Sequence, residues 1–189
     1  MTTQPNTQEI SIPSFKDPEL RKLMKSIPAI DYRSDNVKFL QQEGALALDA
    51  LAGEFAEKGI VKDKERLALV LVRLADVQVR DYAMGITNDE NIQTLWSMWR
   101  WMVTRAPHHY TAPAATILAA ISYEMGDGEM ALQAIERAME DDSKYPLARL
   151  LNRVFAAGWP PSSFASMRAE LHPKVCALIF GEESESSPS

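Results

Sequence analysis

The sequence contains little of what many catalytic and structural sites require. It has one cysteine, Cys176, and three histidines, His108, His109 and His172, among 189 residues. A single cysteine can form no internal disulfide bond and cannot supply a cysteine-rich zinc site. No glycine-rich phosphate loop, dinucleotide-binding fingerprint, nucleophile elbow or His-Glu-x-x-His motif is present. We therefore expect a protein that is not an enzyme and that needs no cofactor.

Long apolar runs and an excess of basic residues are also missing. No stretch of about 18 uncharged apolar residues occurs, so we predict no transmembrane helix. The polar residues 1–8 lack the apolar core of a signal peptide. The formal net charge is -6, whereas a nucleic-acid-binding protein normally presents a basic face. We expect a cytoplasmic protein that binds neither membranes nor nucleic acid. An acidic regulator or mimic acting on a DNA-binding partner stays open as an alternative.

Helical periodicity extends along almost the whole chain, and it predicts an all-α fold. We expect one helical domain over residues 15–180, between a flexible polar arm at 1–14 and a disordered acidic tail at 181–189. The tail, Gly-Glu-Glu-Ser-Glu-Ser-Ser-Pro-Ser, has three glutamates and no base. Such a segment buries too little apolar surface to order itself.

Three segments of the domain carry specific expectations. The centre of residues 63–84, Leu67–Leu74, has the composition of a buried strand, but the segment is too long for one, so we predict one buried helix. Thr87 and Glu90 have the spacing of a capping box and predict the start of a tryptophan-rich helix. Beyond the Pro-Pro break near the C-terminus, two short helices are expected at 163–171 and 173–180.

Residues 112–148 predict a helix hairpin at the centre of the bundle. A Gly-Asp-Gly turn at 126–128 joins the two helices, and small residues recur where they should cross, at Ala119, Ala131 and Ala138. Short side chains at a crossing let two helix backbones approach closely. The hairpin resembles a tetratricopeptide unit. Ala115, Ser122 and Ser143 depart from that pattern, and no second copy follows at a fixed period, so the resemblance implies one helix pair and no repeat array.

A broader resemblance covers roughly residues 65–161 in several blocks that occur in order. The blocks include Leu69–Asp81, Ala112–Ala115, Gly126–Gly128, Glu136–Ala138 and Gly158–Pro161. Together they look like the C-terminal half of a family of unknown function found in actinobacteria and their bacteriophages. The resemblance implies a helical fold and that range of sources, and it implies no activity.

The tryptophan-rich helix is the best candidate for a binding surface. Interface centres are enriched in aromatic residues and arginine, and this part of the sequence offers Trp99, Arg100, Trp101 and Arg105, with Trp159 further along. We predict a non-enzymatic protein–protein interaction module, either a phage or accessory protein that binds a host protein or a chain that self-associates. The alternative is that Trp96 and Trp99 belong to the core and that Trp101 is half covered by a loop.

Metal binding is the remaining alternative, as part of a small metal-assisted enzyme. His108 and His109 could ligate a metal, although such a loop pair is more often a polar connector. His172 and Cys176 share a helix face at i, i+4 spacing, but two ligands do not complete a structural zinc site. An acidic run at the end of the second hairpin helix could also bind a divalent cation. The simpler interpretation, which we prefer, is a solvated helix face. The run consists of Glu136, Glu140, Asp141 and Asp142.

Overall fold

A computed structural model describes residues 12–181 and confirms the all-α prediction. This part of the chain contains nine helices and no strand. The helices are α1 (Pro18–Ser26), α2 (Val37–Lys58), α3 (Lys64–Arg73), α4 (Val77–Gly85), α5 (Ile92–Arg105), α6 (Thr111–Glu124), α7 (Gly128–Asp141), α8 (Pro146–Ala156) and α9 (Pro161–Phe180).

The centre of the fold is helix α6, which is apolar on every side. All residues from Thr111 to Ser122 are buried, and a helix that is hydrophobic all round must be surrounded by other elements. Helices α5 and α7 pack along it, and α4, α8 and α9 contact it further around its circumference. Helices α1 to α4 form a second group, which α9 joins by packing against α4 and α2.

The predicted hairpin forms around this central helix. Helices α6 and α7 make the most extensive helix–helix contact among the described residues, and Ala119, Ala131 and Ala138 are all fully buried. Gly126 adopts a φ of 82° in the connecting turn, a conformation that favours glycine. Asp127 caps α7 by accepting a hydrogen bond from the amide of Met130 at 3.0 Å.

The prediction of one helix over residues 63–84 is wrong, because the segment forms α3 and α4 with a break between them. Asp76 lies at the break and caps α4 by accepting from the Val79 amide at 3.0 Å. Its other carboxylate oxygen accepts from the Tyr32 hydroxyl at 2.9 Å and the Gln41 amide at 3.0 Å. The break therefore provides a buried carboxylate that ties two distant segments to the start of α4.

Two helix boundaries also differ from the prediction. The capping box does not form, because α5 begins at Ile92 with Asn91 as its N-cap, and the Thr87 hydroxyl is buried without a partner among the described residues. The two short C-terminal helices are one continuous helix, α9, with Pro173 inside it. Proline removes one backbone hydrogen bond from a helix interior, and packing against α4 and α2 offsets that loss.

The predicted arm at 1–14 and tail at 181–189 lie outside the described residues, except for residues 12–14 and 181. Ile12 packs against the core. Within the described range, no helix is both long enough and apolar enough to cross a membrane.

Gly44 allows α2 to approach α3 and α4 closely. A Cβ atom at this position would lie 2.8 Å from Cβ of Arg73 and 3.2 Å from Cγ1 of Val79. The Arg73 side chain is 2% exposed, pairs with Glu43 at 3.0 Å and donates to the Pro28 carbonyl at 2.7 Å. The crossing therefore has no room for a methyl group, and three hydrogen bonds hold the Arg73 side chain in place.

We expect the two α2 glycines to respond to alanine in opposite directions. Gly44→Ala should lower the free energy of unfolding by about 1–3 kcal/mol, because the new methyl group overpacks the crossing. Gly53→Ala should raise it by about 0.5–1 kcal/mol, because nothing lies within 4 Å of that position and alanine is the better helix former. Urea unfolding measures both values, and equal effects at the two positions would contradict the close approach.

Candidate interaction surface

The tryptophan-rich helix α5 places its predicted binding residues in different environments. Trp99 is fully buried in the core, and its indole N–H has no hydrogen-bond partner among the described residues. The prediction that Trp99 contacts a partner is therefore wrong, and the alternative, a core residue, holds for this position. Trp96 is partly buried and donates from Nε1 to the Ser122 hydroxyl at 2.9 Å.

The other predicted residues of α5 are engaged with neighbouring side chains. Trp101 is half-buried and packs with its ring centroid 6.0 Å from that of Phe55. The Arg105 guanidinium lies 4.2 Å from the Trp101 ring centroid and 5.7 Å from that of Phe15. Arg100 is exposed, with its guanidinium 5.5 Å from the Trp96 ring centroid. This end of α5 is partly covered by the N-terminal segment, because the Phe15 amide donates to the Thr104 carbonyl at 2.7 Å.

Trp159 belongs to a separate surface, a groove between α8 and α9. These two helices both pack against α6 but make little contact with each other. The opening between them, which we call the α8–α9 groove, has a volume of about 700 Å³. Its apolar lining comes from four helices and from the loop between α8 and α9. It includes Met84 of α4, Ile121 of α6, Leu147, Leu150, Leu151 and Val154 of α8, Trp159 of the loop, and Phe164, Met167 and Leu171 of α9. None of the predicted α5 residues lines it.

Several large side chains in the groove are exposed to solvent. Leu150 is 47% exposed, Trp159 54%, Met167 40% and Leu171 47%. Surface leucines scattered singly are ordinary, whereas apolar side chains gathered in one concavity are typical of binding sites. The groove is therefore the strongest candidate for a functional surface among the described residues.

An aromatic cluster holds the end of the groove in place. The Tyr123 ring stacks on Phe155 with centroids 4.1 Å apart and meets Phe164 edge-on at 5.2 Å. Its hydroxyl donates to the Trp159 carbonyl at 2.6 Å. Tyr123 thus connects α6 to the loop between α8 and α9, so that Trp159 is presented by an anchored turn.

The charged groups along the groove are largely neutralised by each other. Arg80 pairs with the adjacent Asp81 at 2.7 Å. Arg168 pairs with Glu124, and it also donates to the carbonyl of Thr87. A groove with an apolar floor and paired charges at its edges resembles the core and rim of a protein–protein interface.

His172 lines the groove, and Cys176 contacts the His172 side chain from one turn further along α9. Cys176 Sγ is 3.5 Å from His172 Nε2, and the His172 ring packs 5.6 Å from that of Tyr82. Burial lowers the pKa of the His172 imidazole and raises the pKa of the Cys176 thiol, so both groups are neutral near pH 7. A neutral thiol is a weak nucleophile and a poor metal ligand, so the pair is suited to packing α9 against α4.

His108 and His109 lie together in the loop before α6, but the loop is organised by Asp141. Their ring centroids are 3.9 Å apart, and His108 Nδ1 is 2.8 Å from Oδ1 of Asp141. Asp141 also accepts hydrogen bonds from the backbone amides of His109, Thr111 and Ala112 at 2.7, 2.9 and 2.8 Å. Across residues 12–181, no three His, Cys, Asp or Glu side chains are placed to hold a metal.

The interpretation of the acidic run as a solvated face is therefore wrong for Asp141. Its side chain is only 2% exposed, although it comes from the end of α7. The first amides of α6 have no partner within their own helix and are buried, and this carboxylate satisfies them from outside. The run holds two glutamates and two aspartates, and nothing in the sequence indicates which of the four turns inward.

The groove residues Leu150, Met167 and Leu171 were missed as candidates. Met167 and Leu171 have the i, i+4 spacing of one helix face, and that spacing was visible in the sequence. A core face has the same spacing, so the pattern alone does not indicate whether another element covers it.

We expect Asp141→Ala to lower the free energy of unfolding by about 2–4 kcal/mol. The change leaves the buried amides of Thr111 and Ala112 and the partly buried amide of His109 without an acceptor. Glu140→Ala is the matched control, since the Glu140 side chain is 70% exposed and pairs with Arg137 only at 3.4 Å; we expect a change within about 0.5 kcal/mol. Urea unfolding of both variants checks this, and a neutral Asp141→Ala would contradict the capping role.

Comparison with known proteins identifies a family and no function. The model of a family described as a domain of unknown function, DUF4192, matches residues 16–162. No curated protein matches the chain, and no solved structure matches it. The family match covers α1 to α8 and ends in the first turn of α9. Because the match extends over most of the sequence, the chain belongs to the DUF4192 family, the family of a domain of unknown function.

Proposed function

We propose that this protein is a non-enzymatic interaction module that binds another polypeptide chain in the α8–α9 groove. The observation that carries the proposal is the exposure of four large apolar side chains in one concavity, Leu150, Trp159, Met167 and Leu171. Fully burying such a side chain is worth about 1.5–3 kcal/mol. A partner that covers the groove therefore gains binding energy from surface that the isolated chain leaves in water.

The shape of the groove favours a helical partner. Two helices form its walls and α6 contributes to its floor, so an additional helix lying between α8 and α9 would continue the packing of the bundle. An amphipathic helix recognises such a groove through apolar residues at i, i+3 or i+4, and i+7. Trp159 lies at the edge of this opening, and tryptophan is among the residues that most often dominate interface energetics.

We also propose a biological setting, a cellular location and a role for the α6–α7 hairpin. The blocks that resemble actinobacterial and phage proteins support an accessory role in that setting, where a host protein is a natural partner. Absence of a candidate membrane span between residues 12 and 181 is compatible with the cytoplasmic location that we propose. The α6–α7 hairpin, with its buried alanine crossing, supports a single tetratricopeptide-like unit that forms a scaffold for the groove.

Affinity capture from the native host, with two matched variants, tests the proposal. Leu150→Glu places a carboxylate in the groove. Leu132→Glu makes the same change on α7, outside the groove lining, at a leucine of nearly equal exposure, 49% against 47%. The wild type and Leu132→Glu should capture similar amounts of each partner protein. Leu150→Glu should capture at least about tenfold less, and a tenfold change in affinity corresponds to about 1.4 kcal/mol. Mass spectrometry of the captured proteins gives the measurement.

Equal capture by Leu150→Glu and the wild type would overturn the groove as the binding surface. Equal loss with both variants would also overturn it, because the effect would then follow from the added charge and not from its position. Circular dichroism and thermal unfolding verify that both variants are folded, which the exposure of both leucines leads us to expect.

A further inference from the structure

The outer face of α9 carries an apolar stripe that no element of the described chain covers. Met167, Leu171, Lys174 and Leu178 follow one another at spacings of four, three and four residues, which places them on one face of the helix. Met167, Leu171 and Leu178 are 40%, 47% and 59% exposed. Because Met167 and Leu171 also line the α8–α9 groove, the stripe and the groove form one continuous surface.

Two charges of opposite sign lie at the middle of this stripe. Glu170 and Lys174 are exposed, and neither has an ion-pair partner within 4 Å among the described residues. Other charged groups near the groove are paired, as Arg80 is with Asp81 and Arg168 with Glu124. The stripe thus offers one carboxylate and one ammonium group to whatever covers it.

These features are self-complementary in one orientation. If two α9 helices pack antiparallel about a two-fold axis at residue 172, Met167 of each copy lies opposite Ala177 of the other and within one residue, about 1.5 Å along the helix, of Leu178. Glu170 of each copy then faces Lys174 of the other, which yields two ion pairs per dimer. A parallel arrangement in register would instead place Glu170 against Glu170 and Lys174 against Lys174. A two-fold dimer requires such a self-complementary patch, and the charges favour the antiparallel form.

We propose that the α9 stripe and the adjoining groove bind a second copy of this chain, with the two α9 helices antiparallel and Glu170 of each copy paired with Lys174 of the other. This proposal rests on the interaction role of the groove and names its occupant. The stripe lies beyond residue 162, where the family match ends, so the family model does not account for this surface. The helical partner that the groove favours is then the α9 helix of another copy.

Charge reversal provides a test that depends on this register. Glu170→Lys alone places lysine against lysine twice in the dimer, and Lys174→Glu alone places glutamate against glutamate twice. Each variant alone should dimerise at least about tenfold more weakly than the wild type, because like charges across an interface are strongly disfavoured. An equimolar mixture of the two variants should recover the dimer, because both contacts in the mixed dimer are again between opposite charges.

Sedimentation equilibrium on the full chain measures these dissociation constants, and differently labelled variants report mixed dimers by energy transfer. Leu171→Glu should abolish the dimer, and Leu132→Glu on α7 is the control that should leave it intact. All the altered side chains are exposed, and unfolding midpoints verify that each variant is folded.

Three outcomes would overturn the proposal: a wild-type chain that stays monomeric at the highest soluble concentration, single reversals that dimerise as well as the wild type, or a mixture that stays monomeric. The failure of this proposal is distinguishable from failure of the proposed function. A monomeric chain whose captured proteins are lost with Leu150→Glu would keep the interaction module and assign the groove to a different protein. Capture that is insensitive to Leu150→Glu, together with a dimer that Leu171→Glu leaves intact, would remove both.

Discussion

The burial of helix α6 on every side from Thr111 to Ser122 is the constraint on which the rest of this structure depends. A helix with no solvent-facing side must be surrounded, and it must also find partners for the amides of its first turn. Asp141, which comes from the end of α7, accepts from two of those amides and from the amide of His109. The same residue connects the hairpin to the loop that carries His108 and His109, so one carboxylate fixes the start of the central helix and the path of the chain into it.

The groove follows from the way in which this central helix is surrounded. Helices α5 and α7 cover two sides closely, since α6 presents alanines at the crossing with α7. Helices α8 and α9 also contact α6 but make little contact with each other, and side chains of α6 and α4 line the opening between them. Tyr123, at the end of α6, holds the turn at Trp159 through a hydrogen bond and ring stacking. The candidate binding surface is therefore a direct extension of the core.

Predictability from the sequence varied with the range of the interactions involved. Periodicity, turns and small-residue spacing are local, and they indicated the helical fold and the α6–α7 hairpin with its connecting turn. The break at Asp76 was missed because an apolar run continues on both sides of it, while its capping carboxylate also binds Tyr32 and Gln41 from distant segments. The continuity of α9 through Pro173 was missed because packing against α4 and α2 outweighs a local rule.

For the candidate site, too, local features were predictable from the sequence and contacts between distant segments were not. The sequence by itself determined the all-α fold class, the scarcity of catalytic motifs and the presence of aromatic residues suited to an interface. Only the tertiary structure decided that Trp99 is buried, that Trp101 is half-covered by its neighbours and that Trp159 is exposed beside Leu150, Met167 and Leu171. The physical reason is that an apolar helix face has the same sequence pattern whether another element packs against it or water contacts it. Which of the two occurs depends on contacts between segments far apart in the chain.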